Sequence, residues 1–253
     1  DRQRVFVIGF REGEEFVFPK PTHTAPPLGL SAQNELAEGA LNLDERNGLK
    51  LFLITWDAIG DLESDDDPSL SLSGKWAELI PSIPEGRNYL YHTPRGAGKP
   101  LFGWRTRYWN FLLKLSKRLP SWTIAASPGP ATGPFHWKNR RLSTAEMMRL
   151  QTFPKSYRLD SMDLRTAQRL LGNAVPSALA EKLARGIRAL LMGDLVSDQS
   201  ELTLLPPRKG TPPPPEPAQR VPRRFLKQAA AHEAHPGTGL GPGARKRLAK
   251  SQR

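Results

Sequence analysis

The 253-residue chain contains no cysteine. That excludes disulfides, cysteine-ligated zinc, iron–sulfur clusters and any thiolate nucleophile supplied by this polypeptide. Apolar residues are sparse at 38%, and no apolar run approaches the roughly 20 residues that a membrane-spanning helix needs. A basic-then-apolar signal pattern is missing from the start. The first residue is Asp, not Met, so the chain is expected to be a piece of something longer. Proline, by contrast, is abundant at 25 residues, about twice its usual share. The length allows one large domain or two small ones. Low apolar content with excess proline predicts a folded body carrying a disordered appendage.

Acidic residues are missing from one long stretch. Between residues 87 and 149 there are twelve Lys/Arg against one carboxylate, Glu146. Residues 1–86 are the reverse, with seven basic and sixteen acidic side chains. The basic stretch is interleaved with Tyr89, Tyr91, Phe102, Trp104, Tyr108, Trp109, Phe111, Trp122, Phe135 and Trp137. Such a segment is an electrostatic footprint for a polyanion, or a solvated basic face over an aromatic core.

Along the chain, Val5 to Phe10 reads as a strand buried on both faces. Residues 11–50 read as a surface excursion, and Thr55–Leu62 as a short helix. The apolar spacing of Tyr108, Phe111, Leu112 and Leu115 fits one helix within 104–119, and Ser121–Ala126 reads as a strand. Ser143 and Glu146 stand at capping-box spacing, which opens a helix that ends near Thr152. A second helix is predicted over 163–171. A third starts at Pro176 and ends near Gly193, with Leu179, Leu183, Ile187 and Leu190 on one face. From Pro206 onward no periodicity remains. That basic, proline-rich tail is expected to be disordered.

Three segments carry a resemblance. The first is Arg2-Gln3-Arg4-Val5-Phe6-Val7-Ile8-Gly9. The second is Arg140-Arg141-Leu142-Ser143-Thr144-Ala145-Glu146 with Arg149-Leu150-Gln151-Thr152-Phe153-Pro154. The third is Gly172-Asn173-Ala174-Val175-Pro176, preceded by Gln168. In this order, with 130 residues between the first two, they resemble the C-terminal portion of bacterial DNA (cytosine-5)-methyltransferases of restriction–modification systems. Ser143 and Ala145 stand where that family usually has Thr and Arg, and the Gln that opens the family's first motif would precede Asp1. The likeness covers about residues 1–195.

The resemblance implies an α/β architecture: a partial S-adenosylmethionine-dependent methyltransferase fold, with the end of a mixed sheet, closing helices, an irregular target-recognition domain and a disordered tail. Residues 1–54 would end the catalytic domain, 55–139 recognise the target, 140–195 supply closing helices, and 196–253 form the tail. The implied cofactor is S-adenosyl-L-methionine. The implied partners are double-stranded DNA and a missing N-terminal catalytic portion, in cis or as a separate subunit. Membrane association is not expected, and the implied location is cytoplasmic.

In such a reaction a thiolate attacks C6 of a flipped cytosine, and C5 then takes the methyl group. With no cysteine, the chain is expected to be inactive alone. By the resemblance, Arg4 would be the cation at the cytosine carbonyl oxygen, with Arg2 positioning that site. Asn173, with Ala174 beside it, would lie at the cofactor's amino-acid end; from the residues alone, Asn173 is also a helix cap before Pro176. Arg95, Lys99, Arg105, Arg107, Lys138 and Arg140 are the candidates for DNA contact. Arg140, Glu146 and Arg149 are nonetheless expected to organise the recognition domain more than to touch a base. The five histidines show no metal-binding spacing. Two other readings stand beside the enzyme fragment: a DNA-binding module or split-enzyme subunit without catalysis of its own, and a generic basic nucleic-acid-binding protein.

Overall fold

The computed structural model describes residues 5–11, 13–24, 49–62, 67–104, 108–193 and 201–227. Its elements are α1 (Thr55–Ile59), α2 (Thr144–Leu150), α3 (Leu164–Asn173), α4 (Ser177–Met192) and a last short helix, α5 (Arg223–Leu226). Three 3₁₀ turns cover Pro68–Leu70, Ala77–Ser82 and Tyr89–His92. Among the described residues pairing is limited to isolated bridges, such as Phe111 with Thr132 and Lys114 with Phe135.

Local chemistry explains each helix end. Ser143 Oγ accepts the Glu146 N–H at 3.2 Å, and Glu146 accepts the Ser143 N–H at 2.8 Å, which completes the capping box of α2. Asp163 accepts the amides of Arg165 and Thr166, both at 3.0 Å, and so caps α3. Pro176 offers α4 no side-chain cap. Thr152 Oγ1 does so from across the fold, accepting the Ala178 N–H at 2.8 Å. Gly193 ends α4 in the left-handed region at φ 68°.

Two cores divide the apolar residues. The first joins α1, α2 and α3 through Ile59, Leu115, Trp137, Leu142, Met147, Ala167 and Leu171. The second holds Leu79, Ile80, Ile83, Tyr89, Leu101, Leu112, Phe135 and Phe225. One stretch serves both cores. Leu112 and Phe135 face the second core, while Leu115 and Trp137 face the first.

This double duty overturns the helix expected within 104–119. Residues 112–117 are buried in unbroken succession, which a one-sided helix cannot achieve. Tyr108 and Leu112 have φ of 70° and 54°. The Leu112, Leu115 and Phe135 amides bond to Ala131, Phe135 and Leu113 carbonyls at 2.8–2.9 Å. Residues 121–126 are likewise irregular rather than a strand. They lie under α3, where Gly172 comes so close that a Cβ would fall 2.5 Å from Ala126 Cα. α3 runs on through Gly172 to Asn173, past the end expected at residue 171.

The first expected strand is also corrected. Residues 5–10 form no strand, and Val5 and Val7 are exposed. A strand needs a neighbour to take its ladder hydrogen bonds, and no other described segment pairs with it. Along the α4 stripe, Leu183 and Ile187 are half-buried. Leu179 and Leu190 are exposed, although Phe16 approaches the helix at Gly186.

The largest departure is the tail. Residues 201–227, expected to be disordered, form a strap across both cores. Thr203 and Leu204 amides bond to Glu181 on α4. Lys209 reaches Asp57 and Asp61 at α1. Pro214 O accepts from Lys117 Nζ at 3.1 Å, and Pro81 O accepts from Gln219 N at 2.9 Å. Phe225 then enters the second core, stacked on Trp76 at 5.6 Å.

Charged groups are buried between the cores. Lys117 and Glu85 pair at 2.7 Å, both 2% exposed. Lys114, also buried, is pushed down to about 8 by desolvation, with Glu85 opposing. His136 is fully buried beside Trp137 and 3.3 Å from Glu146. Its Nδ1 accepts the Lys138 N–H at 3.1 Å, which leaves the neutral ring's hydrogen on Nε2, toward Glu146. Burial first, then Arg140, Lys138 and Lys117, push His136 down to about 2.

The unfolded chain takes up that proton near pH 6.5. Stability carried by neutral His136 is complete above that pH and falls as the pH drops toward 2. The slope approaches about 1.4 kcal/mol per pH unit below pH 6. His92, lowered by desolvation, acts in the same direction. Urea unfolding between pH 7 and 5 should show this slope, and His136→Gln should flatten it. Equal slopes in the two proteins would contradict the assignment.

Candidate nucleic-acid interface

The basic segment builds a concave surface on the second core. Arg87 O accepts from Lys114 N at 2.9 Å and Phe111 O from Tyr89 N at 3.2 Å, which fastens residues 87–89 to 111–114. Asn88 spends its amide at both ends: Oδ1 accepts the Leu90 N–H at 3.0 Å, and Nδ2 donates to Trp109 O at 2.9 Å. Residues 93–102 then fold back on the turn at Tyr89–His92. Gly98 N bonds to Tyr91 O, and Leu101 N to His92 O. Gly96 is required at this fold-back, since a Cβ there would fall 2.2 Å from Tyr91 O.

The result is a cleft of about 480 Å³ whose walls include Arg87, Tyr91, Arg95, Trp104, Trp109 and Trp122. The Arg95 guanidinium lies 3.8 Å from the Trp104 ring centre. Burial lowers Arg87 from its ordinary value. Among the described residues no carboxylate lines the cleft. Tyr108 is exposed, whereas Tyr89, Phe102 and Phe111 belong to the second core and pack on Trp76 or on one another at 5.3–5.9 Å.

The expected site residues fall into three groups. Arg95 and Lys99 are exposed on the 93–102 loop, and Lys138 is exposed between the two buried ends of its own turn. Arg140 is a correction. Its guanidinium is buried and holds Glu146 with both arms, at 2.8 and 2.7 Å. Pairing with this buried carboxylate, which also takes the Ser143 N–H, commits the Arg140 charge to the interior and away from the surface. Arg2, Arg4, Arg105 and Arg107 lie outside the described residues. Arg149 pairs with Asp61 at 3.0 Å, linking α2 to the end of α1.

Asn173 is exposed as the last residue of α3, and Ala174 follows it in extended backbone. Asn173 does not cap α4. An exposed amide can give a ligand's polar end one or two hydrogen bonds, but it cannot enclose a sulfonium amino acid. No group of three or more metal-ligating side chains occurs among the described residues.

The sequence reading passed over the three cleft tryptophans and Arg87 as site residues. The signal available was the alternation of Trp with Arg through 87–122, which composition alone could not separate from core aromatics.

A basic cleft with no carboxylate among its described walls is a surface suited in charge to a polyanion. Residues 1–189 match the family described as C-5 cytosine-specific DNA methylase, and the chain belongs to that family. It is 36% identical over 220 residues to the type II methyltransferase M.SacI of Streptomyces achromogenes, covering 83% of this chain and 52% of that protein. It is 29% identical over 199 residues to the type II methyltransferase M.MthTI of Methanothermobacter thermautotrophicus, covering 77% and 53%. The chain thus spans about half the length of the curated relatives it matches. No solved structure matches it significantly.

Proposed function

We propose that these residues form the C-terminal, target-recognising and closing part of a DNA (cytosine-5)-methyltransferase that uses S-adenosylmethionine. Family membership supports the reaction class. The observation that carries the recognition role is the cleft of Arg and Trp side chains on a segment with a single acidic residue, itself buried. In this reading Arg95, Lys99, Arg105, Arg107 and Lys138 contact the DNA. Arg4, helped by Arg2, holds the cytosine carbonyl oxygen, and Asn173 and Ala174 border the methyl donor. The attacking thiolate comes from outside these 253 residues, which contain none. A second reading, a recognition module or split-enzyme subunit without chemistry of its own, is favoured by that same lack of cysteine.

The purified chain should bind duplex DNA with a steep salt dependence. Five phosphate-contacting cations give a log–log slope near −4.5, or a loss of about 500-fold between 50 and 200 mM salt. A flat salt response would remove the recognition role. The chain should transfer no methyl group alone and should gain transfer when mixed with a polypeptide carrying the family's thiol loop. Transfer by the chain alone would refute the external thiolate. Binding without any rescue of transfer would leave the module reading.

A further inference from the structure

We propose that the cleft bounded by Arg87, Arg95, Trp104, Trp109 and Trp122 receives one unstacked nucleobase of the bound DNA, at a place separate from the cytosine that would be methylated. This rests on the DNA-recognition reading and adds a specific ligand to it.

Three observations carry it. First, Trp104, Trp109 and Trp122 are 41%, 55% and 36% exposed, although the lobe beneath them has a complete aromatic core of its own. Their indoles are not needed to hold that core, and clustered exposed aromatics mark a binding surface. Second, the cleft offers stacking rather than edge reading. Asn88 has both ends of its amide engaged within the protein, and Arg95 is laid over Trp104. Beside Arg87, Tyr91 and Thr93, the cleft presents the indole surface of three tryptophans, which accepts any base by its π-face. Third, the volume of about 480 Å³ falls in the range of small-ligand pockets. The walls carry two arginines and no acid, so the phosphates on either side of the base find no repulsion. An apolar peptide would gain nothing from the arginines, and a bare phosphate nothing from the tryptophans.

Unstacking a base costs a few kcal/mol, and least when it is already unpaired. Stacking on an aromatic returns about 1–3 kcal/mol per base. A base already out of the helix should therefore show the site most clearly. The probe is a short duplex with one bulged 2-aminopurine, compared with the same duplex fully paired, both titrated with the full chain at constant salt. The bulged duplex should bind about tenfold more tightly, with quenching of the 2-aminopurine fluorescence. The double variant Trp109→Ala/Trp122→Ala should lose the quenching and bind the two duplexes with equal affinity. Trp109→Phe, which keeps an aromatic face, should retain most of both.

Equal affinity for the two duplexes, or a preference that survives the double variant, would overturn the base site and leave the DNA-recognition reading standing. Binding to neither duplex would overturn both. If the double variant loses its thermal transition, Trp104→Ala serves in its place, read by the same quenching; unchanged quenching there would also overturn the site.

Discussion

Replacing Glu146 by alanine should lower the unfolding free energy by about 3–5 kcal/mol, the range for breaking a buried ion pair from one side. The side chain is 0% exposed. It takes both arms of Arg140, accepts the Ser143 N–H that closes the start of α2, and faces the His136 ring. Alanine leaves the Arg140 charge buried without its carboxylate and removes half of a capping box. A domain of ordinary stability has only about 5–15 kcal/mol to lose. Glu146→Gln keeps the shape and one acceptor oxygen, so it should fall between alanine and wild type. Arg140→Met/Glu146→Leu should cost less than the sum of the single changes, because no orphaned charge remains. Urea midpoints at pH 7 test this. A Glu146→Ala protein within about 1 kcal/mol of wild type would show that the pair contributes nothing net.

What the sequence made legible was local. Ser143 with Glu146, Asp163 before Leu164, and Pro176 with Gly193 mark helix ends through bonds made within a few residues, and those helices appear where expected. What it hid depended on partners far along the chain. Tyr108, Phe111, Leu112 and Leu115 have helical spacing, yet two cores on opposite sides draw them into an irregular path held by residues 131–135. Val5 to Phe10 has a strand's composition but, among the described residues, no neighbour to complete a ladder. Phe225 stands alone in a proline-rich run, and a single aromatic has no period to reveal that it fills a core.

The candidate site divides in the same way. Charge segregation pointed to the lobe that carries the cleft, because charge is additive and needs no fold. It could not tell Arg95, exposed over Trp104, from Arg140, paired inside. Nor could it separate Trp104, Trp109 and Trp122 at the cleft from Trp76 and Trp137 in the cores. Both distinctions rest on tertiary contacts with Glu146, Phe225 and the 131–137 segment.

Ending the chain after Leu205 should destabilise it more than any single substitution, and selectively at the second core. The cut removes Phe225 from a cluster where it is 2% exposed and stacked on Trp76. It also takes the Pro214 carbonyl from buried Lys117 and the Lys209 contacts from Asp57 and Asp61. Phe225→Ala alone should cost about 3–5 kcal/mol. The full cut adds the loss of a hydrogen bond to a buried charge, itself about 1.5–3 kcal/mol. The first core keeps α1, α2, α3 and their capping bonds, so helical circular dichroism should persist while the near-ultraviolet signal of Trp76, Tyr89 and Phe102 collapses. Ending the chain after Lys227 is the control, since it retains every strap contact described above, and its midpoint should match wild type. Duplex affinity should follow the same division. The walls of the Arg–Trp cleft hang from residues 87–114, which rest on Leu112, Phe135 and Phe225, so loss of the strap should weaken DNA binding even where the helices survive. An unchanged urea midpoint after the cut at Leu205 would mean that the strap follows the surface of the cores without supporting them.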